Sequence, residues 1–249
     1  MNLELTSRDR SLLWATWQNR LMAPRQYLRR FWNGGSHQAV SRRLTKLKDE
    51  GLLQYISVPW NLDRRLYTIT KAGNRALVDA GLLDPALVLD FPRRPKELSP
   101  ALLHDLSVVD LRIAFELTGG KTWVSDHQLR LGRPQRLGNV RVADGMFDFD
   151  ADGLRRRGVL EFERRSYRRP QMAQVLSRLR FDHGEDTIFF VTLNADRARR
   201  VWSWTVESGI WGDRPASFLV APLGSALKSG LKAGFVDLEG RRFEYSRGF

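Results

Sequence analysis

The sequence predicts a mixed α/β chain, α+β overall, built as two domains, and three observations predict it. A first stretch reads as three helices, a hairpin and a further helix, and a second reads as α-β-β-β-α-β-α-β, a mixed layer arrangement. Between them, residues 82–100 (LLDPALVLDFPRRPKELSP) carry Pro85, Pro92, Pro95 and Pro100, and proline interrupts helices and stiffens connections. The chain is 249 residues long, 42% hydrophobic and 28% charged. That suffices for two ordinary cores and excludes a disordered tail or a fibrous repeat. The expected domains are therefore residues 1–81, a proline-rich linker at 82–98, and residues 99–249.

In the first domain, Thr6 or Ser7 can cap a helix whose apolar residues Leu13, Trp17 and Leu21 recur every four positions. Pro24 opens a second helix with Tyr27, Leu28 and Phe31 inward. Asn-Gly-Gly at 33–35 ends it and Ser36 caps a third, in which Val40, Leu44 and Leu47 form the buried stripe until Gly51 stops it. The stretches LLQYISV and RRLYTIT, joined by PWNLD, read as paired strands, and Thr70 caps the helix that follows.

The second domain opens with a helix over about 100–117, with Leu102, Leu106, Val109 and Ile113 on one face. A strand TWVSDHQL and a polar loop follow. Next comes a hairpin, VADGMFDFD turning at Ala151-Asp152-Gly153 into RRRGVLEFE, whose apolar and acidic residues alternate with the strand period. A helix with Met172, Val175, Leu176 and Leu179, the strand TIFFVTL, the arginine-rich helix DRARRVWSW and the strand SFLVA complete the order.

Composition narrows the function classes. No cysteine is present, which excludes disulfides, cysteine-ligated zinc and thiol nucleophiles. The four histidines, His37, His104, His127 and His183, are scattered. No apolar run approaches the roughly 20 residues of a membrane helix, and the N-terminal residues lack the apolar core of a signal peptide, so a cytoplasmic protein without a membrane partner is expected. Lys+Arg is 41 against Asp+Glu 28, a net of +13, with 34 arginines and 7 lysines. The excess is +8 over residues 1–98 and +5 over the rest. Arginine's planar fork grips phosphate and guanine edges in two-point contacts, so this balance favours a polyanionic partner, nucleic acid above a membrane surface. A merely solubilising basic surface is the alternative.

The segment from Ser36 to Gly73, with its K-D-E-G-L-L at the end of the third helix and Y-T-I-T-x-x-G closing the hairpin, resembles the core of a winged helix-turn-helix. The resemblance covers residues 5–81. The helical period agrees with it independently: with Val40, Leu44 and Leu47 inward, His37, Gln38, Ser41, Arg42 and Thr45 turn outward, with Lys46 beside them. That face is polar and hydrogen-bonding, as readout of base edges in a major groove requires. Asn61, Arg64 and Arg65 fall at the wing tip, placed for phosphate or minor-groove contacts. Double-stranded DNA is the expected partner. A winged helix used for protein contacts is the alternative.

In the second domain the acids Asp126 (W-V-S-D), Asp144 (V-A-D-G), Glu161 and Glu163 (L-E-F-E-R), with His104 in the first helix, carry a second resemblance. They resemble the replication-relaxation family of mobile-element proteins, which joins a winged helix to a domain similar to PD-(D/E)xK nucleases. The resemblance implies a restriction-endonuclease-like mixed sheet and a plasmid or phage protein that controls replication, mobilisation or transcription. It further implies catalytic Asp144, Glu161 and Glu163, and a magnesium ion held by Asp144 and Glu161 with Asp126 as an outer ligand. A hard divalent cation does suit one or two carboxylates with water and phosphate oxygens. The sequence departs from the pattern where the motif ends in lysine, because that position holds Glu163. Three readings stay open: an active metal-dependent DNA endonuclease, a degenerate binding domain, and a solvated acidic hairpin. His104 is either aimed at the carboxylates or a satisfied surface histidine. Trp202, Trp204 and Trp211 are a stacking platform or core, and Arg197, Arg199 and Arg200 a phosphate-contacting stripe or a soluble face. A homodimer is expected, since palindromic sites mirror twofold protein symmetry.

Overall fold

The computed structural model describes residues 4–33, 35–58, 65–88, 100–131 and 142–245. The chain is of mixed α/β class and divides into two compact units, Met1–Val109 and Asp110–Phe249.

The first unit runs α1 (Ser7–Asn19), α2 (Pro24–Phe31), α3 (His37–Asp49), β1 (Leu53–Ser57), β2 (Arg65–Ile69) and α4 (Lys71–Asp79), the order of a winged helix-turn-helix. Each start has a local cause. The Thr6 hydroxyl accepts the N–H of Asp9 in a reciprocal capping box, Pro24 occupies the first turn of α2, the Ser36 hydroxyl accepts the N–H of Ala39, and Thr70 accepts that of Gly73. Gly51 ends α3 with a φ of +74°, a left-handed conformation that glycine adopts without a side-chain penalty. Strands β1 and β2 pair antiparallel from Leu53↔Ile69 to Ser57↔Arg65. Leu13, Trp17, Val40, Leu44 and Leu47 are buried in the core, as the periodicity predicts. Leu21 lies beyond the end of α1 and is only half-buried.

Helix α5 (Pro100–Thr118) contains the division between the units. Its Leu102 and Leu106 pack with Ala23, Val58 and Leu66, and the Gln26 side chain donates to the Leu106 carbonyl at 2.9 Å. These contacts assign the first half of α5 to the winged-helix unit. Upstream, Pro85–Leu87 form one 3₁₀ turn capped by Asp84. Residues 89–99 of the proline-rich stretch lie outside the described residues.

The second unit is a five-stranded sheet of β3 (Lys121–Ser125), β4 (Gly145–Ala151), β5 (Leu154–Glu163), β6 (Thr187–Thr192) and β7 (Phe218–Pro222), in that spatial order. The first three strands pair antiparallel and the last two join in parallel. This is a mixed sheet, antiparallel on one side and parallel on the other. Helices α7 (Arg169–His183) and α8 (Ala195–Ser208) make the crossovers that parallel pairing requires. The β4–β5 turn is Asp152-Gly153, both with φ above +50°, the two-residue geometry that suits strand twist. One sheet face, with Val159, Ile188, Phe190 and Val220, packs on Met172, Leu176 and Val201 of α7 and α8. The other carries a ring cluster in which Phe115 of α5 meets Phe147, Phe189 and Phe235 edge-on. The expected strand over 122–129 ends early, at Ser125, and Asp126–Leu131 form the short helix α6. There the Gln128 side-chain Oε1 accepts the Ser125 N–H at 3.0 Å, so that donor is spent on a turn. Among the described residues no helix is long and apolar enough to cross a membrane.

Candidate nucleic-acid interface

Helix α3 presents its two faces as the period requires. Val40, Leu44 and Leu47 are at most 1% exposed, while His37, Gln38, Ser41, Arg42, Thr45 and Lys46 are all exposed. Their side chains offer donors and acceptors of several kinds on a cationic background.

Arg43, next to the outward Arg42, turns aside. Its guanidinium forms a two-point ion pair with the buried carboxylate of Asp9. Asp9 also accepts the Thr6 N–H at 2.8 Å and the Thr6 hydroxyl at 2.6 Å. Burial pushes the Asp9 carboxyl up, but the bonds from Arg43 and Thr6 outweigh it and hold the group below the usual carboxylate range. This pair ties the outer helix to α1. The sequence reading missed it, because the partners stand 34 residues apart and an arginine on α3 reads as one more DNA contact.

On the wing, Arg65 is exposed at the start of β2 and its guanidinium lies 5.5 Å from the ring centre of Tyr55. Lys48 of α3 reaches the same ring at 5.9 Å. Tyr55, 45% exposed, thus sits between two cations where α3 meets the wing. No motif singled it out, though an aromatic residue on a wing strand is the signal that could have. Asn61 and Arg64 lie outside the described residues.

The carboxylates of the second unit are only partly brought together. The β4/β5 register pairs Gly145 with Leu160, so Asp144 stands one step on, opposite Glu161. Its N–H donates to the Leu160 carbonyl at 3.1 Å and its carboxylate accepts the Phe162 N–H at 2.7 Å, bracketing Glu161. Glu161 and Glu163 are 1% and 4% exposed and share one face of β5. A Glu163 oxygen accepts the N–H of Arg165 at 2.5 Å. Asp126 begins α6, half-buried, with Arg130 at 3.7 Å.

Among the described residues no three His, Asp or Glu side chains form a group that could hold a metal ion, so Asp126, Asp144 and Glu161 do not make a joint ligand set. One carboxylate oxygen of Asp144 and one of Glu163 accept backbone N–H groups, and Glu163 stands in the lysine position.

The remaining sequence candidates separate. His104 is half-buried on α5. Trp211 is core, fully buried against Phe218. Trp202 donates its indole N–H to the Asp237 carbonyl at 2.7 Å. Trp204 packs against the same core and also lines a cleft with Arg197 and Arg200, while Arg199 pairs with Asp196 on its own helix.

No family model matches the chain, and no curated protein matches it. Among solved structures it is similar to PadR of Bacillus subtilis, determined in complex with operator DNA, at 18% identity and a TM-score of 0.23. The match covers 43% of this chain and 66% of that one, just under two thirds of its length.

Proposed function

We propose that the chain is a sequence-specific double-stranded-DNA-binding protein that reads its site with α3 and steadies itself on phosphates through the wing. The observation that carries this reading is the two-sidedness of α3. Its apolar stripe is buried, and the six outward residues named from the sequence are all exposed, with Arg42 and Lys46 among them. A helix built this way has the width and chemistry that a major groove accepts. The resemblance to replication-relaxation proteins extends the proposal to a plasmid or phage factor, working as a homodimer in the control of replication, mobilisation or transcription.

The second unit is read as a nuclease-like sheet turned to binding. A metal-dependent endonuclease has one observation in its favour, the placement of Asp144 opposite Glu161. The position of the motif's lysine holds Glu163, so the binding reading is preferred.

The test is selection of a bound duplex from a random pool, followed by titration of Arg42→Ala on the selected site. If Arg42 reads a guanine, the variant loses about 1–3 kcal/mol and its preference at one base pair relaxes. Selection that enriches no sequence, or an Arg42→Ala affinity equal to that of the parent, refutes the proposal.

A further inference from the structure

The arginines of the second unit fall into two populations. Most are matched to a carboxylate: Arg155 to Asp148, Arg178 to Asp182, Arg180 to Asp213, Arg214 to Glu185 and Arg241 to Asp237. Arg165, Arg168 and Arg200, like Arg242 elsewhere in the unit, are exposed and have no such match among the described residues. All three lie at one edge of the sheet, where the parallel strands β5 and β6 end and α7 and α8 begin. Arg168 is the cap residue of α7, and Arg165 is two residues beyond the end of β5. Arg200 shares a face of α8 with Arg197 and Trp204, at spacings of three and four.

A cleft opens at this edge. Arg165, Tyr167, Arg197, Arg200 and Trp204 line it, and the buried Glu163 lies at its floor. The Glu163 carboxylate accepts the Arg165 N–H, so it anchors the loop that carries the first arginine. Arg197 is held in turn by a 2.7 Å bond from its guanidinium to the Arg164 carbonyl. The internal space is about 20 Å³, enough for roughly one water-sized group. A phosphate oxygen enters; a base does not. Two helices of 15 and 14 residues start here, and the partial positive charge of helix N-termini adds to that of the arginines. The carboxyl ends of parallel strands are also where open α/β sheets bind ligands.

We infer that this cleft is a phosphate-binding site without a metal, lined by Arg165 and Arg200 over the ends of β5 and β6 with Arg168 beside it at the start of α7, and that it takes the phosphates of a nucleic-acid backbone or of a free phosphate compound. It is separate from the α3 reading and does not depend on it.

The full chain is titrated with a fluorescent duplex of arbitrary sequence over a range of salt, beside a variant carrying Arg165→Gln, Arg168→Gln and Arg200→Gln. Loss of three phosphate contacts lowers the slope of log affinity against log salt by about 2 to 3. The corresponding triple lysine variant keeps the slope, and Arg200→Gln alone, on an exposed helix face, lowers it by about 1, so the result does not hang on the fold of the triple variant. Calorimetric titration with inorganic phosphate at low salt separates the sources. An unchanged slope with phosphate binding lost in the glutamine variant identifies a free phosphate compound. Parental slope together with parental phosphate heats in the glutamine variant overturns the inference. Arg42→Ala, measured alongside, tests the α3 reading on its own.

Discussion

Asp9→Asn is the most informative single change in the winged-helix unit, because it removes one charge and almost no volume. In the parent the carboxylate receives two bonds from the Arg43 guanidinium and two from Thr6, with no exposure of its own, while Arg43 is 24% exposed. Hydrogen bonds to charged groups are worth about 1.5–3 kcal/mol each, and breaking a fully buried pair costs about 3–5 kcal/mol. The partial exposure of Arg43 lets water take over some of its solvation, and asparagine keeps one acceptor for Thr6. The expected loss is therefore about 2–3 kcal/mol, or about 30- to 150-fold in an opening equilibrium. Hydrogen exchange followed by mass spectrometry reads this locally, as faster exchange of the α3 amides with the sheet of the second unit unchanged. The pH dependence has a definite sign. The folded Asp9 carboxyl lies below its ordinary value, so its contribution is fully present above about pH 4 and fades as pH falls through the folded pKa. Asp9→Asn lacks that acid limb. Parental exchange rates for α3 in Asp9→Asn would refute the view that this pair holds the outer helix in place.

Arg65→Ala should weaken binding to all duplexes alike and flatten the salt slope by about 1, leaving base preference intact; a changed base preference would argue against a phosphate contact. Plasmid DNA carrying the selected site should stay intact with magnesium and then with manganese; nicking that disappears in Glu161→Ala would restore the endonuclease. Gly158→Ala places a methyl 2.6 Å from the ring of Phe147, which is stacked on Trp123 and has little room to retreat. It should destabilise the second unit by about 1–3 kcal/mol, seen as earlier loss of the near-ultraviolet aromatic signal in urea, and an unchanged midpoint would show that the ring relocates.

What could be read beforehand was what local rules govern. The caps Thr6, Ser36 and Thr70 and the stripe Val40/Leu44/Leu47 each depend on residues within a few positions of one another, and the structure has them where the pattern puts them; the hairpin turn comes one residue shorter, at Asp152-Gly153, with Ala151 kept in β4. Long-range pairing was invisible. Nothing in the sequence says that Arg43 turns to Asp9, or that α5 lends Leu102 and Leu106 to the first unit. Hydrophobic period shows that a face is buried but not against what. Trp202, Trp204 and Trp211 show the same limit: all three pack in or against one core cluster, but Trp211 is fully buried while Trp202 and Trp204 are only partly so. Glu161 lies on β5 as expected, while Asp144 lies one residue before β4 and faces it from the strand's end. The hydrogen bonds of Asp144 and Glu163 to backbone N–H groups depend on the exact end of each strand, which patterns do not fix.

The order of strands in the second unit bears on how the chain reaches its fold. Each strand lies beside its neighbour in sequence, from β3 to β7, so a strand leaving the ribosome always meets a template already made. The antiparallel β4–β5 pair closes through two residues and can form within microseconds. The parallel joins to β6 and β7 must wait for α7 and α8, with greater loop-closure entropy at each step. The sheet can therefore grow from one side, hairpin first, with an open edge advancing towards β7. In the finished sheet Val236 bridges Val220 of that last strand, capping the edge along which growth would otherwise continue into a second molecule.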